Sequence, residues 1–219
     1  MSFDLSEAEI IKLLECAYHS DGQIPSENKI NSINRALKSE LKCAAVLLPL
    51  YRNEQGWHLV FTRRTDLVED HKGQVSFPGG GCDEHETQPE QTAIREAKEE
   101  IGLLPQDVRI LGKMNEVITI SHFKVTPVVG VIPWPYPFQL SPQEVSRVFS
   151  IPLDWMAEPT HWDEFDFTPE GSPTSFPVVT YHEYDGEILW GATARITQNF
   201  LGVLNLVKRK SSVYDQSIV

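Results

Sequence analysis

"GQVSFPGGGCDEHETQPEQTAIREAKEEIGL", residues 73–103, sets three consecutive glycines ahead of a stretch that closes on a dense group of acids. "QVSFP" reads as a short strand ended by Pro78 and by Gly79-Gly80-Gly81, whose bare backbone can turn and approach a ligand closely. The spacing then predicts a helix over Pro89–Ile101, stopped by Gly102 as its left-handed cap. At about 100° per residue, Ala93, Ile94, Ala97 and Ile101 share one side of that helix, while Glu96, Glu99 and Glu100 share another, roughly 120° away. The apolar stripe can pack on a sheet while the three carboxylates converge outward. Lys98 lies off the acidic face. Glu96 and Glu100, at i and i+4, repel each other by ~0.3 kcal/mol on an exposed helix, and by more in a closed site. One explanation is a solvated face screened by Arg95 and Lys98. The other is a hard-cation site: Mg2+ takes oxygen ligands and would turn the repulsive cluster into an attractive one. A glycine carbonyl could add a ligand, and the helix N-terminus could sit near anionic groups.

Upstream, "CAAVLLPLY" and "WHLVFTRR" are strand-length apolar runs, and the polar "RNEQG" between them predicts a hairpin. Residues 65–72 read as a polar loop. Downstream, "VRILGKM" and "KVTPVVGVIPW" are further strands. "SPQEVSRVFSI" carries a helix-start signal, Ser141 with Glu144 three residues on. "TSFPVVTYH" and "GEILWG" predict a hairpin around Asp185-Gly186. "ATARITQNFLGVLNLVK" predicts a long helix with Ile196, Phe200, Val203, Leu204 and Val207 on one face. At the N-terminus Ser6 and Glu9 form a capping-box pattern ahead of Ile10, Leu13, Leu14 and Ala17 at helical spacing. "SENKINSINRAL" reads as a second, weaker helix. Strands and helices interleave without regular alternation, which predicts an α+β fold with helices packed on a mixed sheet. The expected organisation is a helical extension over residues 1–40, one domain over 41–210 and a tail over 211–219.

The 219 residues fit one domain with extensions. A net charge of −12 argues against a protein that wraps nucleic acid. Cys16, Cys43 and Cys82 are odd in number, widely spaced and free of any CxxC pair, so neither a disulfide framework nor a zinc site is expected. The first residues show no basic flank followed by an apolar run, and no apolar stretch reaches the ~18–20 residues that span a bilayer. A cytoplasmic protein without nucleic-acid or membrane partners is expected, with a homodimer left open.

Residues 73–103 resemble the Nudix box, GX5EX7REUXEEXGU, where U is a bulky aliphatic residue. Gly81, Arg95, Glu96, Ala97, Glu99, Glu100, Gly102 and Leu103 fall in register. Thr87 stands where the family has its first Glu, and Glu86 or Glu84 is a candidate substitute. Further upstream, "VFTRRTDLVEDHKGQVSFPGG" is similar to the motif of the coenzyme A pyrophosphatase-like subfamily, LLTXR(S/A)X3RX3GX3FPGG. Thr62, Arg64, Gly73, Phe77, Pro78, Gly79 and Gly80 match it. Thr65 replaces the small Ser/Ala, and Glu69 replaces an Arg. The likeness is specific over residues 59–133 and weaker near Trp190.

The resemblance implies a Nudix-type α/β/α sandwich and hydrolysis of a nucleoside diphosphate linked to another moiety, with Mg2+ or Mn2+ as cofactor. By motif position Glu96, Glu99 and Glu100 bind the metal, with the Gly80 carbonyl as a further ligand, and Arg95 orients the glutamates. Arg64, Gly79, Gly80 and His71 are the candidate substrate contacts. Glu144 is a candidate general base outside the box. Arg63, Lys72 and Lys124 are candidates to replace the missing motif Arg. The implied substrate is a small nucleotide, coenzyme A or an acyl-coenzyme A, giving 3′,5′-ADP and (acyl-)4′-phosphopantetheine. ADP-ribose, NADH and diadenosine polyphosphates are the competing substrates, and a non-catalytic nucleotide-binding module is the competing class.

Overall fold

The structure, a computed structural model, describes residues 4–20, 41–66, 73–168 and 175–207. Strand β1, Lys42–Asn53, alternates between two apolar faces. Ala44, Leu48 and Leu50 join one buried cluster, and Ala45, Leu47 and Tyr51 join the other. A strand buried on both faces needs a layer on each side. Strand β2, Gly56–Arg64, folds back on β1 through a tight turn, with Asn53 opposite Gly56. Strands β3, Val75–Ser76, and β4, Gly79–Gly81, follow and pair antiparallel with β2 and β1.

Helix α2 follows α1, Glu7–Ser20, in chain order and spans Pro89–Ile101 as the spacing predicts. Its stripe Ala93, Ala97 and Ile101 is fully buried against the β1 face that carries Ala45 and Leu47. The Gln91 side-chain oxygen accepts from the Thr87 and Gln88 N–H groups at 2.8 and 3.0 Å, which satisfies donors at the helix entry. Gly102 ends the helix at φ 68°, and a Cβ there would lie 2.8 Å from Gln139 Cβ. Only glycine meets both conditions cheaply.

The remaining strands are β5, Arg109–Lys113, β6, Val117–Ile118, β7, Phe123–Val131, and β8, Val145–Pro152. Among the described residues eight strands form one sheet with the path β3-β2-β1-β7-β5. β1 and β7 run parallel, and the other pairs run antiparallel, so the sheet is mixed. Helix α3, Leu153–Ala157, leads to β9, Trp162–Phe167, and β10, Phe176–Tyr181, which form a separate antiparallel ribbon. Helix α4, Gly191–Val203, covers the sheet face opposite α2 through Ala194, Ile196 and Phe200. α1 lies on that same face: Ile10 and Leu14 are buried in the same cluster, and Trp57 Nε1 donates to the Leu5 carbonyl at 2.7 Å. Its start is the expected capping box, with Ser6 N–H on Glu9 Oε2 at 2.8 Å and Glu9 N–H on Ser6 Oγ at 3.3 Å. The result is an α/β/α sandwich. Among the described residues no helix is long and apolar enough to cross a membrane.

Four expectations are corrected. The helix expected from Ser141 is strand β8: Val145, Phe149 and Ile151 are buried in a strand that pairs with β2, and the Ser141 carbonyl closes a single turn by accepting from the Glu144 and Val145 N–H groups at 3.0 and 2.8 Å. The hairpin around Asp185-Gly186 has its turn, but the strand partner of β10 is β9, and "GEILWG" meets just the end of β10, with Trp190 opposite Thr180 and the Leu189 carbonyl accepting from the Tyr181 N–H at 2.7 Å. The three glycines, expected to turn, instead run as an extended strand on β1. Cys43 and Cys82 form a disulfide across that pairing, with Cα atoms 5.4 Å apart, while Cys16 is free and exposed. Sequence spacing did not show it because the two cysteines, 39 residues apart, meet only through strand register. "SENKINSINRAL", Glu69, His71, Lys72 and the tail over 211–219 lie outside the described residues.

Candidate active site

The β1·β4 pairing carries the glycines against the acidic face of α2. Gly79 packs so tightly on β1 that a Cβ would lie 2.4 Å from the Ala45 carbonyl oxygen. A Cβ on Gly80 would lie 2.5 Å from Glu96 Oε1. The glycines thus place the backbone directly against the acidic face. Gly81 is open.

Arg95 is the hub of the acidic face. Its Nε donates to Glu86 Oε1 at 2.8 Å, its Nη1 to Glu96 Oε1 at 2.8 Å and Glu99 Oε2 at 3.0 Å, and its Nη2 to the Gly81 carbonyl at 2.9 Å. Glu86, not Thr87, therefore holds the arginine from the loop side. Thr92 Oγ1 and the Asp83 N–H also donate to Glu86 Oε2, at 2.7 and 2.8 Å. The Arg95 hydrogen bond, with help from these donors, holds the Glu86 carboxyl down at about 2. Arg95 is itself pushed above its usual value, first by Glu86.

The three helix glutamates differ in exposure. Glu99 is 56% exposed, Glu96 is 17% exposed and Glu100 is buried. Burial raises Glu96, opposed by the Arg95 hydrogen bond and charge, with Glu99 and Glu144 adding to the rise. Burial also pushes Glu100 up to about 8, reinforced by Glu96 and Glu144 and opposed by Arg64 and the Gly79 N–H. Glu144 thus faces the helix glutamates from a different element. Its carbonyl accepts from the Thr65 N–H at 2.9 Å, which fixes it beside the end of β2. Arg64 is half-buried at that strand end. Arg64 Nε and Glu100 Oε2 are both buried without a hydrogen-bond partner among the described residues. Buried polar atoms are ordinarily satisfied, so such orphans point to a missing ligand.

A divalent cation fits this donor set. Glu96 and Glu100 crowd each other beside Glu144, which raises the proton affinity of Glu96 and Glu100, and Glu100 leaves an oxygen aimed at no protein donor. Hard oxygen donors of this type suit Mg2+ or Mn2+. Of the expected site residues, Glu96, Glu99, Glu100, Arg95, Arg64, Gly79 and Gly80 come together, and His71 lies outside the described residues. Arg63 turns away to Glu187, 3.5 Å, and Asp66, and Lys124 pairs with Glu116 at 3.0 Å.

The chain matches the NUDIX domain family over residues 41–171. It is 37% identical over 153 residues to "Uncharacterized Nudix hydrolase NudL" of Escherichia coli O6:H1, covering 70% of this chain and 78% of that protein. The same identity and coverage hold for the protein so named in Escherichia fergusonii. Among solved structures, the Nudix hydrolase RenU of M. Smegmatis is 24% identical with a TM-score of 0.44, covering 53% of this chain and 73% of that one. The chain belongs to the Nudix family. It is a Nudix hydrolase, a class that acts on small nucleoside diphosphate substrates with divalent cations.

Proposed function

We propose that this Nudix hydrolase cleaves the pyrophosphate bond of coenzyme A or an acyl-coenzyme A, releasing 3′,5′-ADP and (acyl-)4′-phosphopantetheine. The observation that carries the hydrolytic reading is the pair of orphaned buried atoms, Arg64 Nε and Glu100 Oε2, on side chains that interact at the acidic face of α2. One is a cationic donor suited to a phosphate oxygen, and the other is a carboxyl oxygen suited to a cation once its proton leaves. The coenzyme A assignment rests on the match of Thr62, Arg64, Gly73 and Phe77 to Gly80 with the subfamily motif.

In this reading Glu96, Glu99 and Glu100, with the Gly80 carbonyl, hold Mg2+ or Mn2+. When bound, the cation neutralises the diphosphate and makes a water more acidic. Arg95 keeps the glutamates in place through its hydrogen bonds to Glu96 and Glu99. Arg64 grips the diphosphate, Gly79 and Gly80 let it approach the backbone, and His71 contacts an anionic group. A water oxygen adds to one phosphorus, the bridging P–O bond breaks, and the bridging oxygen leaves with the other phosphate. Glu144 takes the water proton, being the carboxylate that faces Glu96 and Glu100 from outside their helix. The catalytic domain extends over residues 41–210.

Glu69 in place of the motif Arg favours a second reading, in which the substrate is ADP-ribose, NADH or a diadenosine polyphosphate. A substrate panel with Mg2+, products identified by mass, separates the two. The first reading expects the highest kcat/KM for coenzyme A or an acyl derivative. A tenfold or greater preference for ADP-ribose sinks it. Absence of hydrolysis across the panel leaves a nucleotide-binding module.

A further inference from the structure

A cavity of about 190 Å3 lies at the N-terminal end of α2, away from Glu100, and its wall includes Cys43, Cys82, Glu86, Thr92, Tyr18 and Lys113. The disulfide and the Arg95 buttress therefore share one solvent-connected space. A continuous set of bonds links them. Cys82 N–H donates to the Cys43 carbonyl at 3.1 Å, which adds a rung to the β1·β4 ladder. The next residue, Asp83, donates its N–H to Glu86 Oε2, Glu86 holds Arg95, and Arg95 holds Glu96 and Glu99. β4 has only three residues, and among the described residues it pairs with β1 alone. Residues 83–85 are exposed and sit between the crosslink and Glu86. The crosslink is thus the covalent anchor of a turn otherwise held by the hydrogen bonds and ion pairs that Glu86 and Asp83 make with Arg95 and Thr92.

We propose that the Cys43–Cys82 disulfide is a thiol-exchange site that controls the order of the catalytic loop, with the oxidised form the one that holds the cation tightly. The reductant is a dithiol. One of its thiolates attacks the sulfur of Cys43, the more exposed residue of the pair, and forms a mixed disulfide while Cys82 leaves as a thiolate. The second thiol of the reductant then closes on the first, releasing Cys43. Two electrons pass to the protein, the dithiol becomes a cyclic disulfide, and its two protons end on Cys43 and Cys82. A disulfide acts mainly by limiting the open ensemble. Reduction therefore leaves the β1·β4 hydrogen bonds in place and raises the frequency with which residues 83–88 open. Each opening releases Glu86 from Arg95 and disorders the glutamates.

The proposal rests on the cation reading of the glutamates, so its test includes a signal that does not. In a Cys16→Ser background, the full chain is compared before and after treatment with dithiothreitol, and again after reoxidation. Thiol titration should rise from none to two. Amide exchange over residues 83–88 should speed up about tenfold or more, as expected when a local opening loses its tether. The Mn2+ dissociation constant, read by electron paramagnetic resonance, should rise about threefold or more, below the ten- to hundredfold range of a lost supporting residue. Reoxidation should restore all three. Two thiols found before reduction, or unchanged exchange over 83–88 after it, overturns the proposal. Faster exchange with unchanged Mn2+ binding also overturns it, while leaving the cation site intact. If Mn2+ binds neither form, the cation reading has failed and the control proposed here falls with it, whatever the exchange data show.

Discussion

Replacing Glu86 with glutamine removes the charge from the carboxylate that buttresses Arg95 but keeps its shape. Glu86 is 5% exposed, and its Oε1 lies 2.8 Å from Arg95 Nε. A hydrogen bond to a charged partner contributes about 1.5–3 kcal/mol, and one such bond is lost here. Asp83, Glu96 and Glu99 remain on the guanidinium and offset part of it. The expected loss is about 2 kcal/mol, which for a chain of this size lowers Tm by roughly 4–8 °C. Removing a supporting partner also weakens metal affinity by about 10–100-fold, so the Mg2+ half-saturation for hydrolysis should rise within that range. The carboxyl is depressed to about 2 when folded. Its stabilisation is therefore present above the ordinary value near 4.5 and fades as pH falls toward 2, so the gap between wild type and variant should close over that window. The decisive control is Glu86→Gln combined with Thr87→Glu, which restores a glutamate at the motif position. Thr87 is exposed and its N–H and Oγ1 are bonded to Gln91. No rescue is expected. Full recovery in the double variant, or an unchanged Mg2+ requirement in Glu86→Gln, would refute the assignment of the buttress to Glu86.

Glu100→Gln should lower kcat by at least about tenfold, the scale of a lost ligand or supporting group, and unchanged turnover would remove Glu100 from the site. Folded Glu100 keeps its proton to about pH 8, whereas the unfolded chain releases it near 4.5, so the metal-free protein should lose stability as pH rises across that window. Calorimetry should show the fall in wild type and a smaller one in Glu100→Gln; equal slopes contradict the buried, raised carboxyl. Gly80→Ala places a methyl 2.5 Å from Glu96 Oε1, and steady-state kinetics should show a raised Mg2+ requirement with the fold retained by circular dichroism. Arg64→Lys keeps the charge but loses the planar fork, so KM should rise about tenfold, and an unchanged KM would place Arg64 away from the diphosphate.

Residues with a strong local period were legible in the sequence. Pro89–Ile101 was readable because Ala93, Ala97 and Ile101 repeat at helical spacing and Gly102 marks the stop. α1 was readable through Ser6 and Glu9. Features set by strand register were not. β8 follows a turn whose Ser141 and Glu144 mimic a helix cap, and only the edge of β2 decides for a strand. β9 was hidden by its acids, Asp163, Glu164 and Asp166, which suit a ribbon with an exposed edge better than a core strand. The Cys43–Cys82 bond follows from Ala44 standing opposite Gly81, which no spacing rule encodes. At the site, the Arg-Glu and Glu-Glu pairs stood out in the chain. The role of Glu86 needed geometry, because the motif spacing points one residue further, to Thr87. Glu144 was legible as a candidate base outside the box, but its place beside Glu96 and Glu100 comes from the β2·β8 pairing, which no spacing encodes.

The proposed hydrolysis and its redox control both require the α2 carboxylates to form a divalent-cation site. Titration of Mn2+ into the metal-free chain, followed by electron paramagnetic resonance, tests it without reference to any substrate. Wild type should bind Mn2+, more tightly at pH 8 than at pH 6 because the raised Glu100 proton must leave. The Glu96→Gln, Glu99→Gln, Glu100→Gln triple variant should lose that binding while remaining folded. Equal Mn2+ affinity in the two proteins would contradict such a site.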